Sequence, residues 1–241
     1  GSMLQLAYKY RDGEGTSKND SQALKWFQQA AQNGELIGLV NAGDMLSDKN
    51  RHIEAHSLYK QAADGQVDQA YYRLAEQYQD GNGTSKNPRL YVKWLNKAAT
   101  HPKNETKGYM SQAMFWALKT GIGTQKNHTE SVKWLIKAVE NESKIAKYNY
   151  AILLHDGSGV NKNISKAIDY FQELALDESL TDNDRKSSAR WLSNIYGRRL
   201  KSSNYSNQND LNIALKWTKL ASELGDKEAT RMHQILQKAK R

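Results

Sequence analysis

A chain of 241 residues with 38% hydrophobic residues, a mean hydropathy of −0.84 and a net charge of +9 is too polar for one thick globular core. No apolar run approaches bilayer length, so a soluble chain is expected. The absence of cysteine excludes disulfides and thiolate metal sites, and fits either a cytosolic or an exported bacterial protein.

Gly1-Ser2-Met3 reads as a tag scar, and Leu4 enters a first helix part-way along. In that helix Leu6, Ala7 and Tyr10 recur at spacings of three and four, and the Gly13-Glu14-Gly15 turn ends it. Asn19 then stands where its side chain can cap a second helix, whose inward stripe is Ala23, Trp26, Phe27 and Ala30. Gly34 closes this unit (4–34). The second unit (35–65) keeps Ala42, Gly43, Leu46, Ala55, Leu58 and Tyr59. It carries Ser47 to Asn50 in place of the glycine loop, which predicts a shorter turn, and Gly65 ends its second helix.

The third unit (66–101) repeats the first, with Leu74, Ala75 and Tyr78, the Gly81 to Asn87 loop, Pro88 at a first helical position, then Tyr91, Trp94, Leu95 and Ala98. An extended connection is expected over residues 100–107. The fourth unit (107–142) has its loop at Gly121 to Asn127, and the fifth (143–179) at Gly157 to Asn163. A further connection is expected over 177–184. In the sixth unit (185–225) Leu192, Tyr196, Ala214 and Trp217 persist, but a basic, polar insertion from Arg198 to Asn209 replaces the loop. Residues 226–241 read as a cap. Four Gly-x-Gly-x-x-Lys-Asn loops, each followed seven residues later by Trp26, Trp94, Trp134 or Tyr170, thus define about six helix pairs that must stack to be stable.

These motifs resemble the Sel-one-like repeat family, relatives of tetratricopeptide repeats, most closely at Leu6 to Gly34 and Ala70 to Ala99. The resemblance implies an all-α fold, a right-handed α-α superhelix. Its binding face would be lined mainly by the first helix of each pair, and it would act as a scaffold or adaptor without enzymatic activity. Family members are commonest in bacteria as host-interaction, signalling or toxin-neutralising proteins. A periplasmic or secreted location with the leader removed is expected ahead of a cytoplasmic one. The alternative is an envelope carbohydrate- or peptidoglycan-acting enzyme, or a subunit of one, whose site the motifs do not reveal.

Other readings of single motifs are weaker. A P-loop needs Gly-Lys-Ser/Thr after a strand, which the glycine loops lack. His52 and His56 share a helix face, but His56 fills a slot held by Leu24, Val92, Val132, Ile168 and Leu215 elsewhere, so packing is preferred to metal binding. No cofactor is expected.

Aligning the glycine turns puts Trp116 in the slot of Asp44, Glu76 and Ile152, which faces the expected groove; Tyr72, Gln112, Tyr148 and Arg190 take a neighbouring slot. With Asn194, the set Tyr72, Glu76, Gln112, Trp116, Tyr148, Ile152, Arg190 and Asn194 is the expected partner-binding face, with Trp116 as an aromatic anchor. Trp191, outside the repeated Trp column, either joins that face or packs on a neighbouring helix. Charge is also uneven: residues 1–184 hold 22 basic and 22 acidic side chains, residues 185–241 hold 13 and 4. Arg185, Lys186, Arg198, Arg199, Lys201 and Arg231 therefore form an expected basic patch. The expected partner is another protein, acidic or a toxin or effector domain. Contact with an anionic membrane surface is a second possibility, and nucleic acid ranks behind both for want of a recognition module.

Overall fold

The computed structural model describes residues 2–101 and 107–240. Their regular structure is helical throughout, with thirteen helices and no strand among the described residues. The chain divides into two compact units, residues 1–141 and 142–241. The first contains α1 (Met3–Asp12), α2 (Asp20–Gln32), α3 (Ile37–Ser47), α4 (His52–Asp64), α5 (Asp68–Asp80), α6 (Pro88–Thr100), α7 (Lys107–Thr120) and α8 (His128–Glu140). The second contains α9 (Lys144–Asp156), α10 (Ile164–Leu176), α11 (Asp182–Ser202), α12 (Gln208–Glu223) and α13 (Lys227–Ala239). No described helix is long and apolar enough to cross a membrane.

The glycine loops are four copies of one device. The first glycine of each, Gly13, Gly81, Gly121 or Gly157, has φ of 78 to 84°. Its amide donates to the helix carbonyl four residues back at 2.8 Å. The loop asparagine then binds in both directions. Its amide donates back to the carbonyl of Tyr10, Tyr78, Leu118 or Leu154 at 2.8–2.9 Å. Its Oδ1 accepts from the amide of Gln22, Leu90, Glu130 or Lys166 at 2.9–3.1 Å, capping the next helix.

The second glycine serves packing between repeats. At Gly83 a Cβ would lie 2.1 Å from the His52 carbonyl oxygen, and at Gly123 2.0 Å from that of Pro88. Each loop thus touches the start of the second helix of the preceding pair, at a distance only glycine allows. Gly15, with the same backbone angle, meets nothing within 4 Å.

The inward stripe of the second helices is buried unevenly, deepest at the residue that follows each repeated aromatic position. Phe27, Leu95, Leu135 and Phe171 are almost wholly enclosed, whereas Trp26, Trp94 and Tyr170 are half-buried. Trp134, at 5% exposure, and Trp217, at 1%, are buried as expected. One residue turns the helix by about 100°, which moves the remaining rings to the edge of the apolar stripe. There Trp94 stacks on Tyr71 with ring centroids 5.8 Å apart, and the Lys97 ammonium lies 5.0 Å from the Trp94 centroid.

Two loop expectations need correction. The insertion expected from Arg198 is largely helix: α11 runs to Ser202 because Leu200 is fully buried and anchors one more turn. The turn is then short, with Asn204 and Tyr205 at positive φ and Asn207 capping α12. The connection expected over 177–184 is shorter, because α11 begins at Asp182 with Thr181 as its cap. Gly65 ends α4 as expected, with φ of −80°, and Gln66 beyond it takes the left-handed conformation. The expected connection over 100–107 lies mostly outside the described residues. The short turn of the second unit is present, with Asn50 at φ of 60°.

Two stability measurements follow. Gly15→Ala should cost about 1 kcal/mol from backbone strain alone, whereas Gly83→Ala and Gly123→Ala should cost about 1–3 kcal/mol more because a neighbouring backbone must move. Equal costs at all three in denaturant titrations would remove the packing role of the second glycine. Likewise, Leu95→Ala and Trp134→Ala should each lose about 2–5 kcal/mol and Trp94→Ala distinctly less, given its half-burial.

Candidate functional site

Within the first unit, the first helices of successive pairs carry two neighbouring clefts. One, of about 560 Å³, is lined by Arg11, Asn41, Asp44, Asp48, Tyr59, Arg73, Glu76, Gln77, Asp80 and others. Its floor is a fixed ionic network. Arg73 bridges α3 and α5, with Nε 2.9 Å from Asp44 Oδ1 and Nη1 3.2 Å from Glu76 Oε2. The Tyr59 hydroxyl donates to Asp44 at 2.7 Å, and the Tyr72 hydroxyl donates to Glu76. Burial, then the hydrogen bond to Asp44, holds the Tyr59 hydroxyl well above its ordinary range; burial and Glu76 do the same to Tyr72. For Arg73 burial acts to lower the pKa, but the bonds and charges of Asp44 and Glu76 outweigh it and the guanidinium is raised. All three side chains are thus held in their protonated forms.

The second cleft, of about 460 Å³, has an aromatic wall formed by Tyr78, Tyr91, Tyr109 and Trp116, with Gln79, Lys86, Pro88, Gln112, Thr120 and Ile122 around it. Its apolar groups face solvent: Tyr109 is 57% exposed, Ile122 55% and Trp116 40%. Trp116 is held from behind by Phe115, at a centroid distance of 4.9 Å, and carries the Lys119 ammonium 4.7 Å from its ring centre. Tyr109 meets Tyr72 edge-on at 6.0 Å, which joins this wall to the network of the first cleft. Burial, followed by the nearby Tyr109 and Asp80, raises the Tyr91 hydroxyl.

The structure therefore brings Tyr72, Glu76, Gln112 and Trp116 together on α5 and α7. The other four expected site residues lie in the second unit and are engaged differently. Tyr148 packs edge-on against Phe171 at 5.8 Å, and its hydroxyl accepts from Trp191 Nε1 at 3.1 Å. Trp191 itself stacks on Phe171 at 5.4 Å, so it is a packing residue. Ile152 packs on the core, Arg190 pairs with Asp226 and Glu228 and ties α11 to α13, and Asn194 is exposed. Arg190, expected on the groove-facing slot, is thus a side chain that bridges two elements.

The basic residues do not gather as a single cluster. Arg185 donates to the Ala175 carbonyl and pairs with Asp182, whereas Arg198, Arg199 and Lys201 lie near the far end of the same helix, about 20 Å along its axis. Lys186 is half-buried on the first turns of α11, and Arg231 is exposed on α13. His56 Nδ1 meets Gln77 Oε1 at 2.7 Å and His52 Nδ1 meets Ser47 Oγ at 3.2 Å, so each ring has a packing role. No group of three or more potential metal ligands occurs among the described residues.

Several members of these clefts were not anticipated. Tyr91 was expected to face inward; Asp44 was expected to face the groove, but Arg73 and Tyr59 join it only when α3, α4 and α5 stack. Ile122 did leave a signal: it is an apolar residue between two loop glycines, where the other loops have Glu14, Asn82 and Ser158.

The helix pairs and their glycine turns are those of Sel1 repeats. The Sel1 repeat profile matches residues 1–35, 41–66, 68–102, 111–143, 144–177 and 202–226, and the chain belongs to this family of α-solenoid proteins. Among solved structures, it resembles a protective antigen present in uropathogenic Escherichia coli strains that displays an SLR fold. The TM-score is 0.76 at 21% identity, over 96% of this chain and 47% of that one. It also resembles a Sel1 repeat protein from Oxalobacter formigenes, with a TM-score of 0.64 at 20% identity over 92% and 86% of the two chains. Two exopolysaccharide production negative regulators are similar in sequence. The one from Rhizobium leguminosarum bv. viciae is 32% identical over 122 residues, 42% of this chain and 46% of that protein. The one from Rhizobium meliloti is 31% identical over 133 residues, 48% and 50% respectively. The chain thus spans about half the length of these curated relatives.

The ionic network has a measurable coupling. Arg73→Ala and Asp44→Ala, singly and together, should give an interaction energy of about 0.5–1 kcal/mol in a double-mutant cycle, the range for a pair still partly open to water. A coupling of zero would mean that the bridge does not hold α3 to α5.

Proposed function

We propose that this Sel1 repeat protein is a non-enzymatic scaffold that binds a partner protein on the first-helix face of its first unit, centred on the aromatic cleft. The observation that carries this reading is the gathering of Tyr109, Trp116 and Ile122, large apolar side chains left open to solvent, in one cleft. Exposed aromatic groups on a rigid backing are what anchors of protein interfaces look like, because they bury much area while losing little conformational freedom. Phe115 behind Trp116 and the Tyr72 contact to Tyr109 supply that backing. Sel1 repeats as a class mediate protein–protein interaction and are generally non-enzymatic. Among host-interaction, signalling and toxin-neutralising roles, the two relatives named as negative regulators favour a regulatory role exerted by binding.

The test is capture of the partner by immobilised chain, with Tyr109→Ala, Trp116→Ala and Lys25→Glu in parallel; Lys25 is an exposed residue of α2. The two cleft variants should melt as the parent does and bind the captured protein at least about 30-fold more weakly, equivalent to losing a 2 kcal/mol anchor. Lys25→Glu should bind as the parent does. If Lys25→Glu loses the partner and the cleft variants keep it, the site assignment falls. Turnover of an envelope polysaccharide by the purified chain would overturn the scaffold reading itself.

A further inference from the structure

The two clefts of the first unit differ in charge, and that difference specifies what the aromatic one accepts. Its lining contains Lys86 and no carboxylate among the described residues. Lys119 stands at its edge, over the Trp116 ring. The neighbouring cleft has the opposite balance, with Asp44, Asp48, Glu76 and Asp80 against Arg11 and Arg73. A chain segment seated on Tyr109 and Trp116 therefore meets ammonium groups where it lies on α7 and the α5–α6 turn. It meets net negative charge where it passes α5 toward α3.

Building on the protein-binding reading, we infer that the aromatic cleft takes a peptide segment with a large apolar anchor flanked by aspartate or glutamate. The anchor lies against Trp116 and Tyr109. The flanking carboxylates pair with Lys86 and Lys119; no described acidic residue lines this cleft, although the charge of Asp80, on the neighbouring cleft, reaches Tyr91. Basic flanks are rejected by the same two lysines. Lys86 is well placed for this, because its side chain packs against Gly81 and its stem is thereby oriented: a Cβ on Gly81 would lie 2.9 Å from Lys86 Cγ. Selectivity resides here and not in the basic C-terminal quarter.

The experiment is a peptide array probed with full-length chain. Each peptide carries a central Trp, Phe or Leu, flanked by Asp/Glu, by Lys/Arg or by Ser/Gly. The acidic-flanked set should be retained about tenfold or more above the basic-flanked set, with the preference shrinking as salt rises. Trp116→Ala should abolish retention, and Lys86→Glu with Lys119→Glu should reverse the charge preference. Lys119→Glu alone should weaken that preference in case the double variant folds poorly. Equal retention of the three sets, preference for basic flanks, or no retention at all would each overturn the proposal. Loss of a captured partner by Trp116→Ala, found together with any of those outcomes, would leave the broader protein-binding reading standing and remove only the acidic specificity.

Discussion

One asparagine per glycine loop links the two helices of its pair, and the stacking of those repeats builds on it. Its backbone amide closes on the carbonyl of the preceding helix while its side chain caps the following one, so two helices are set relative to each other by bonds from a single residue. The φ angles of Asn19, Asn87, Asn127 and Asn163 agree within a few degrees, from −147 to −144°. With that geometry repeated, the second glycine can press Gly83 onto His52 and Gly123 onto Pro88. Within a pair the asparagine sets the angle; between pairs the glycine sets the approach. The cap is a local bond and the glycine approach a packing contact between neighbouring repeats, and packing of this kind is what holds helices of 13 residues, marginal in isolation.

The clefts follow from this stacking. Because α3 and α5 are brought side by side, Arg73 reaches Asp44 on the adjacent repeat as well as Glu76 on its own helix. Because α5 and α7 are neighbours, Tyr72 meets Tyr109. A rigid ionic floor thus sits beside an open aromatic wall, and the tyrosine pair joins them. An interface needs its anchors held before the partner arrives, since ordering them on contact costs affinity. The repeat frame provides that order, with two turn residues, Lys86 and Ile122, adding to the lining of the aromatic cleft.

Much of the fold was legible from periodicity. The loops, the asparagine caps and the positive-φ glycines all follow from residue types with narrow conformational preferences. The face of each second helix was harder, because Trp26 and Phe27, or Trp94 and Leu95, are adjacent apolar residues and a shift of one residue still reads as an amphipathic stripe. The long α11 was misread for a related reason: Arg198, Arg199 and Lys201 look like a loop until buried Leu200 is seen to hold the turn. In the candidate site, Trp116 was found because it broke the repeat pattern. Tyr109 and Tyr91 were not, because a tyrosine on a repeat helix is as often packed as exposed. The ion pairs of Arg190 were not legible because its partners Asp226 and Glu228 lie some forty positions away in sequence.

The aromatic cleft as the partner-binding surface is most directly tested by hydroxyl-radical footprinting of the chain with and without its captured protein. The free chain exposes Tyr109, Trp116 and Ile122 in the cleft, and Ile53 and Ile235 away from its lining, so one experiment contains both site and control side chains. The account expects Tyr109, Trp116 and Ile122 to lose oxidation on binding while Ile53 and Ile235 keep theirs. Undiminished oxidation of Trp116 and Tyr109 in the complex, with protection at Ile53 or Ile235 instead, would contradict it.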